Sequence, residues 1–162
     1  MKCFECEKGK MTTSNDAYRY YECGLPNVIL IGVSVHRCKY CGAEYVSIPD
    51  MEGLHRALAM AVVNKDGRLT PHEVRFLRKS LGWSGADFAR KFHVTPSAVS
   101  RWESTRLASP MSKANELRLR DMVAHGMKID DYEKHMEEIS LEDLEALSLS
   151  LVHSSDGWSK AA

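Results

Sequence analysis

Residues 70–103 read TPHEVRFLRKSLGWSGADFARKFHVTPSAVSRWE, and this stretch carries the signals of three consecutive helices. Thr70 has the side chain of an N-cap; a proline at the first helical position and a glutamate at the third follow it. Gly82 predicts the end of this first helix, and Ser84 and Thr95 open the next two. Two short helices joined by a tight turn and preceded by a third predict a helix-turn-helix.

The last of these helices is expected to bind double-stranded DNA. Val99 and Trp102 would anchor it, while its first turn projects outward. An arginine there can fork onto guanine, hydroxyl groups can bind a phosphate or a base edge, and a helix N-terminus can bind a phosphate. The predicted DNA contacts are Ser84, Thr95, Ser97, Ala98, Ser100, Arg101 and Arg106.

The distribution of charge supports this assignment. The chain has 162 residues, with 22 basic and 22 acidic side chains, so its formal net charge is zero. Residues 69–106 nevertheless hold 7 basic and 3 acidic side chains, whereas residues 107–162 hold 6 and 11. One basic module followed by an acidic tail is typical of a chain in which a single module meets a polyanion. The basic side chains expected on DNA phosphates are Arg75, Arg78, Lys79, Arg90, Lys91 and Arg106.

Four of the five cysteines form two pairs, Cys3-x-x-Cys6 and Cys38-x-x-Cys41. Two such pairs can close a tetrahedral site without an open position, so we predict one structural zinc ion per chain. Iron uses the same four-thiolate geometry, and disulfides are disfavoured in a reducing compartment. Cys23 is expected to be a buried or free thiol. Its replacement of one ligand is the alternative, and His36 is a weaker rival ligand.

The remaining patterns predict an α+β chain that begins with a small antiparallel zinc ribbon. Aromatic and β-branched runs predict strands at residues 18–23, 28–35 and 41–47. Apolar stripes predict helices from Ser109 to about His125, over 130–139 and over 140–152, and the last of these could form a dimer seam. The expected parts are a ribbon (1–50), a connector helix (51–68), a helix-turn-helix domain (69–125), a helical extension (126–152) and a disordered tail (153–162).

Two family resemblances extend this interpretation. Residues 77–84, Phe88-Ala89 and Ser100-Arg101-Trp102-Glu103 resemble the Xre/Cro-repressor-like helix-turn-helix family, although Gly85 stands where many members have a DNA-contacting glutamine. The order of ribbon and helix-turn-helix over residues 1–125 resembles the YgiT/MqsA-type zinc-finger antitoxins. This resemblance implies that the four paired cysteines bind zinc, that the ribbon can engage a toxin, and that a homodimeric C-terminal domain represses its own operon. It also implies that Ser97 and Arg101 read bases.

The sequence therefore predicts a sequence-specific DNA-binding repressor, with the antitoxin of a type II toxin–antitoxin pair as the specific hypothesis. The alternatives are a stand-alone zinc-containing regulator without a toxin and a rubredoxin-like iron electron carrier. We expect no enzyme, because no nucleophile set, phosphate-binding loop or open metal site stands out. We also expect a cytoplasmic protein without a membrane partner. The longest apolar stretch, residues 28–35, is shorter than the ~18 residues of a membrane span, and no signal peptide opens the chain.

Overall fold

The computed structural model describes residues 1–107, 109–127 and 144–162. The chain forms two compact units. The sheet unit consists of Met1–Tyr20, Asn27–Leu54 and Leu149–Ala162, and the helical unit consists of Tyr21–Pro26 and His55–Ser148. Strands at the start of the chain are followed by helices, so the predicted α+β class with a ribbon-like beginning is confirmed.

The sheet unit is built around its longest strand, β2 (Val28–Cys38). This strand pairs antiparallel with β1 (Met11–Arg19) and β3 (Glu44–Ser47), and its first half pairs in parallel with β4 (Leu149–Ser154). A hairpin joins β4 to β5 (Gly157–Lys160). β2 occupies the centre because it supplies alternating apolar side chains to the core. Its buried apolar residues are Val28, Leu30, Val33 and Val35.

The first strand lies earlier in the chain than predicted. The aromatic run at residues 18–23 indicated a strand, but β1 covers Met11–Arg19 and only overlaps the start of that run. Most side chains of β1 are polar and exposed, as on an edge strand, so hydrophobic alternation gives little signal there. The third strand is short, as expected, and begins at Glu44, because the residues before it form the turn around Cys41.

The prediction for the C-terminal end was wrong. Residues 144–148 have no regular structure, and the positions expected to end a helix and to form a disordered tail belong to β4 and β5. The sequence LSLSLV at residues 147–152 alternates with a period of two, and Leu149 and Leu151 are buried. This alternation favours a strand once β2 supplies a partner. The helix predicted over 130–139 and the first residues of the proposed dimer seam lie outside the described residues.

The helical unit contains the predicted helices, and three of them begin after the expected N-caps Thr70, Ser84 and Thr95. They are α1 (Met51–Val63), which begins in the sheet unit, α2 (Pro71–Ser80), α3 (Gly85–Phe92), α4 (Pro96–Trp102) and α5 (Lys113–Met127). Thr70 and Glu73 form the predicted capping box of α2. Helix α5 begins at Lys113 and not at Ser109. The core of this unit is apolar and includes Leu58, Val62, Leu77, Phe88, Phe92, Val99, Trp102, Leu119 and Val123.

Buried charges hold the segment between α1 and α2. Lys65 Nζ lies 2.9 Å from Glu73 Oε2, and the side chains of this pair are 5% and 1% exposed. Glu73 also accepts hydrogen bonds from the backbone N–H groups of Thr70 and Leu147, both at 2.8 Å. One carboxylate therefore caps α2, neutralises a buried lysine and fixes the chain that leads to β4.

A second buried cluster joins the same segment to α5. Arg120 is fully buried, and its guanidinium donates to Glu116 Oε1 at 3.1 Å. The other oxygen of Glu116 accepts from Arg68 Nε at 2.6 Å. Arg120 also donates to three backbone carbonyls, those of Val63, Lys65 and Gly67. These bonds replace the hydrogen bonds to water that a charged group loses when it is buried.

Candidate metal centre and nucleic-acid interface

The four paired cysteines meet at one end of the sheet unit. Their sulfur atoms all lie within 4.8 Å of one another. Sγ of Cys3 is 3.6 Å from Sγ of Cys41, and Sγ of Cys6 is 3.7 Å from Sγ of Cys38. A tetrahedral zinc site with bonds of about 2.3 Å has sulfur–sulfur edges of about 3.8 Å. The cluster therefore has the dimensions of a four-thiolate metal site, and the distances are too long for disulfide bonds.

Each cysteine pair lies on a tight turn of the same design. The N–H of Glu7 donates to Cys3 O at 2.9 Å, and the N–H of Gly42 donates to Cys38 O at 3.0 Å. Both donor residues have left-handed backbone conformations, with φ of 54° for Glu7 and 77° for Gly42. The first turn thus places glutamate at the position where the second has glycine, at a conformational cost.

Gly9, the displaced glycine of the first pair, has a different role from Gly42. A Cβ atom at this position would collide with Cys38 Sγ and with Tyr40, so the two turns approach each other only because Gly9 has no side chain. Its N–H also donates to Cys6 Sγ at 3.4 Å. The close approach and the N–H···S bond favour a metal ion held between the two turns.

Backbone N–H groups tune the thiols before any metal binds. The N–H of Cys41, assisted by that of Tyr40, lowers the pKa of Cys38 to about 6. The N–H of Gly9 is the main cause that lowers the pKa of Cys6. Ala43 N–H acts in the same direction on Cys41, but the loss of water around its sulfur and the hydrogen bonds to the neighbouring thiols outweigh it and raise the pKa of Cys41 to about 12. The backbone around Cys38 therefore favours its thiolate, which is the form that binds zinc.

Neither rival ligand belongs to the cluster. Cys23 lies outside the four-cysteine group, and burial raises the pKa of its thiol. His36 Nδ1 is hydrogen-bonded to Thr13 Oγ1 at 2.8 Å, and His36 Nε2 is hydrogen-bonded to Ser47 Oγ at 3.0 Å. Both ring nitrogens are therefore engaged on the face of the sheet. The ligand set that the structure brings together is the predicted one, with metal identity left to experiment.

Helices α3 and α4 form the helix-turn-helix of the helical unit. Ser84 and Asp87 form a capping box at the start of α3, and Thr95 caps α4 by accepting from the N–H of Ala98 at 3.2 Å. His93, between the helices, has a left-handed φ of 55°. Each of these turns arises from local hydrogen bonds.

Helix α4 is held by aromatic packing, as its sequence predicted. Val99 and Trp102 are 3% and 9% exposed. The ring of Trp102 packs edge-on against Phe88 at 5.7 Å, and Phe88 packs in the same way against Phe92 at 4.6 Å. Because these contacts fix one face of α4, the opposite face is presented to solvent.

Most of the predicted DNA contacts lie on that exposed face or close to it. Thr95, Ser97, Ser100 and Arg101 are exposed, Ala98 is partly buried, and Arg106 is exposed in the following loop. Arg106 and Ser100 also line an open concave surface of about 530 Å³, together with His72 and Arg75. The structure thus groups hydroxyl and basic side chains around α4, while their roles in DNA binding stay predictions.

Some residues predicted to contact phosphates are engaged within the protein. Arg78 is 12% exposed and binds Glu103 through two hydrogen bonds of 2.5 and 3.0 Å, as well as the carbonyl of Trp83. Arg75 binds the same glutamate at 3.2 Å. Glu103 thus joins α2 to the end of α4, a role that was not predicted. The one sequence feature that pointed to this role is the position of Glu103 directly after Trp102, at the end of the predicted helix.

The hydroxyl group of Ser84, another predicted DNA contact, forms hydrogen bonds within the protein. It donates to Asp87 Oδ2 at 2.8 Å and accepts from the N–H of Asp87 at 3.1 Å. Backbone and hydroxyl bonds from Ser84, with Arg90, lower the pKa of Asp87 to about 2. A carboxylate at this helix start opposes the approach of a phosphate. Ser84 therefore has a clear structural role as a cap.

The comparison with protein families gives the same assignment for this region. Residues 74–110 match the helix-turn-helix family model. The match covers α3, α4 and most of α2, and it supports a DNA-binding regulator. A search of curated proteins found no match. Among the described residues, none of the helices has both the length and the apolar character that a membrane crossing requires.

Proposed function

We propose that this protein is a sequence-specific DNA-binding transcriptional repressor that carries one structural zinc ion per chain. The observation that carries the proposal is the exposed polar face of α4 within a helix-turn-helix. Arg101 is exposed on this helix, while the opposite face is anchored by Val99 and Trp102. Such a helix can enter the major groove without loss of core contacts. The protein would act in the cytoplasm by binding, not by catalysis.

The side chains around α4 divide into two groups by the contact that each can make. Arg101 can donate two hydrogen bonds to guanine, and Ser97, in the first turn, can bond a base edge or a phosphate. Arg106, in the loop after α4, and Lys79, on α2, carry exposed charges that favour any DNA sequence. A homodimer would place two such helices on two half-sites, which is how helix-turn-helix repressors gain specificity.

We further propose that the protein is the antitoxin of a type II toxin–antitoxin pair and represses its own operon. The order of a four-cysteine cluster and a helix-turn-helix supports this hypothesis, together with the resemblance to zinc-finger antitoxins. The alternative is a regulator without a toxin. Expression of the gene beside this one should arrest growth, and co-expression of this protein should restore growth. Growth that is unaffected by the neighbouring gene would favour the stand-alone regulator.

The DNA-binding proposal is tested by a gel-shift titration against the DNA upstream of the gene, at two salt concentrations. Arg101→Ala should weaken specific binding by about 1–3 kcal/mol, or roughly 5- to 150-fold, because it removes a base contact. Arg37→Ala removes the same charge in the sheet unit, where Arg37 forms exposed ion pairs with Asp16 and Glu44, and should leave binding unchanged. Equal affinities for the two variants would refute the assignment of Arg101.

Metal identity is tested on the same preparation. We expect colourless protein with one zinc ion per chain, and loss of ribbon structure when a chelator removes the metal, because the site cross-links two turns of a small sheet. Visible absorption and bound iron would instead support the electron-carrier alternative.

A further inference from the structure

The four metal-binding sulfurs differ in their access to solvent. Cys3 and Cys38, the first cysteine of each pair, are 1% and 3% exposed. Cys6 is partly exposed, and Cys41 is exposed. A molecule that approaches the cluster from solution therefore meets Cys41 first. Since zinc-bound cysteines are thiolates, exposure decides which of them reacts.

A groove leads to this exposed sulfur. It is open to solvent, has a volume of about 570 Å³, and is lined by Glu5, Cys6, Cys41, Gly42, Ala43, Glu44 and Tyr45. Gly42, next to Cys41, lies in open space, since a Cβ atom added there would meet no atom within 4 Å beyond its chain neighbours. Small molecules can thus reach the sulfur without rearrangement of the fold.

The charges around the groove favour an uncharged reactant. Glu5 and Glu44 contribute carboxylates, of which Glu44 is paired with Arg37 at 2.5 Å. A zinc ion with four thiolates adds two negative charges of its own. Anionic reactants such as thiolates are therefore repelled, whereas a small neutral oxidant such as hydrogen peroxide is not.

We propose that Cys41 is an oxidation site, at which hydrogen peroxide modifies the cluster and releases the metal. This inference rests on the proposed zinc site. In the first step the Cys41 thiolate attacks one peroxide oxygen, the O–O bond breaks, and a sulfenic acid and hydroxide form. In the second step a neighbouring thiolate attacks the sulfenic sulfur, a disulfide forms, and a second hydroxide leaves.

The structure places Cys3 in position for the second step, because its sulfur lies 3.6 Å from that of Cys41. Overall, two thiolates lose two electrons, peroxide is reduced to two hydroxide ions, and zinc is left with two thiolate ligands. Such a site no longer has a closed tetrahedral shell, so the ion leaves. Cys3 and Cys38 are buried, so a reactant in solution does not reach them directly. Oxidation of the cluster therefore begins at Cys41.

The test uses the zinc-loaded full chain with Cys23→Ser, so that only the cluster carries thiols. Zinc release under excess hydrogen peroxide is followed with a chromogenic chelator. Cys41→His keeps four ligands but removes the exposed thiol, and we expect release to slow by roughly tenfold or more. Cys6→His is the matched control at the equivalent position of the other pair, and it should release zinc at a rate within about twofold of the parent.

Zinc content before oxidation separates this inference from the proposed metal site. A parent protein without zinc refutes the metal proposal itself. If the histidine variants do not load zinc, labelling of the parent with N-ethylmaleimide, read by mass spectrometry, takes their place, and Cys41 should be labelled first. The inference is overturned if Cys41→His releases zinc as fast as the parent, if Cys6→His protects equally, or if Cys3 or Cys6 is labelled before Cys41.

Discussion

Replacement of Arg120 tests the buried ionic cluster that fixes α5 to the segment before α2. Arg120→Met keeps a long side chain and good helix propensity but removes the guanidinium. In the native protein this group donates to the carbonyls of Val63, Lys65 and Gly67 at 3.1, 2.6 and 2.6 Å, and to Glu116 at 3.1 Å. The substitution leaves three buried carbonyls and one carboxylate with fewer partners.

The expected loss follows from these bonds. Each buried group left without a partner costs about 1–3 kcal/mol, and breaking a buried ion pair typically costs about 3–5 kcal/mol. Glu116 retains Arg68 and the N–H of Leu69, and Arg120 Nε has no partner among the described residues. Because Glu116 keeps two partners, the three carbonyls account for most of the loss, and at the lower end of the cost for each we expect about 3–4 kcal/mol, a large fraction of the stability of a typical domain.

Urea denaturation followed by far-UV circular dichroism measures this loss, because the helices lie mainly in the helical unit. At a slope of about 2 kcal/mol per molar urea, the midpoint should fall by about 1.5–2 M. Arg118→Met is the matched control on the same helix, since Arg118 is exposed, donates to Lys91 O and has its guanidinium 4.7 Å from the centroid of the Phe92 ring, a contact worth about 0.5–1 kcal/mol. It should shift the midpoint by less than about 0.5 M. An Arg120→Met midpoint equal to the control, or higher than the parent, would refute a stabilising role for the cluster.

Three further predictions concern single side chains. Glu7 has a left-handed φ of 54°, which glycine adopts more easily, so Glu7→Gly should stabilise the metal-bound protein by about 0.5–1 kcal/mol in thermal unfolding. Gly42→Ala should destabilise it for the same reason. The opposite sign for either variant would contradict the turn geometry. Glu103→Gln should cost about 1.5–3 kcal/mol in urea denaturation by weakening the bonds to Arg78, and a loss that persists unchanged in an Arg78→Met background would show that the pair is not its cause. The pKa of Asp87 is about 2 in the folded protein, below the ordinary value of about 4, so its ionised form stabilises the fold above pH 4 and this contribution is lost as the pH falls towards 2. The stability difference between the parent and Asp87→Asn should shrink over that range, and a constant difference would argue against the capping role.

The helix-turn-helix and the ligand set could be predicted because their signals are local. Thr70 and Glu73 lie three residues apart, as do Ser84 and Asp87, and each pair closes a capping box within its own turn. Likewise, each cysteine pair spans a single turn, and only the meeting of the two turns required the fold. Such short-range patterns form the same local turn regardless of how the rest of the chain folds.

Other features depend on partners that are distant in the sequence. Arg78 was expected to bind DNA phosphates, yet it forms a salt bridge with Glu103, which caps the C-terminal end of α4. Glu73 was recognised as a cap, but its bonds to Lys65 and to the N–H of Leu147 could not be anticipated. Charged side chains are ordinarily exposed, so burial and pairing appear only when the elements pack.

The sequence by itself determined the starts of α2, α3 and α4, the basic middle of the chain and the two cysteine pairs, because each is set by neighbouring residues. The tertiary structure alone decided the end of the chain, where Leu149 pairs with Val28 and β4 lies parallel to β2. The alternation at residues 147–152 suits a strand, but a strand is stable only when another strand satisfies its backbone hydrogen bonds. That partner lies more than a hundred residues earlier in the sequence, beyond the reach of any local pattern.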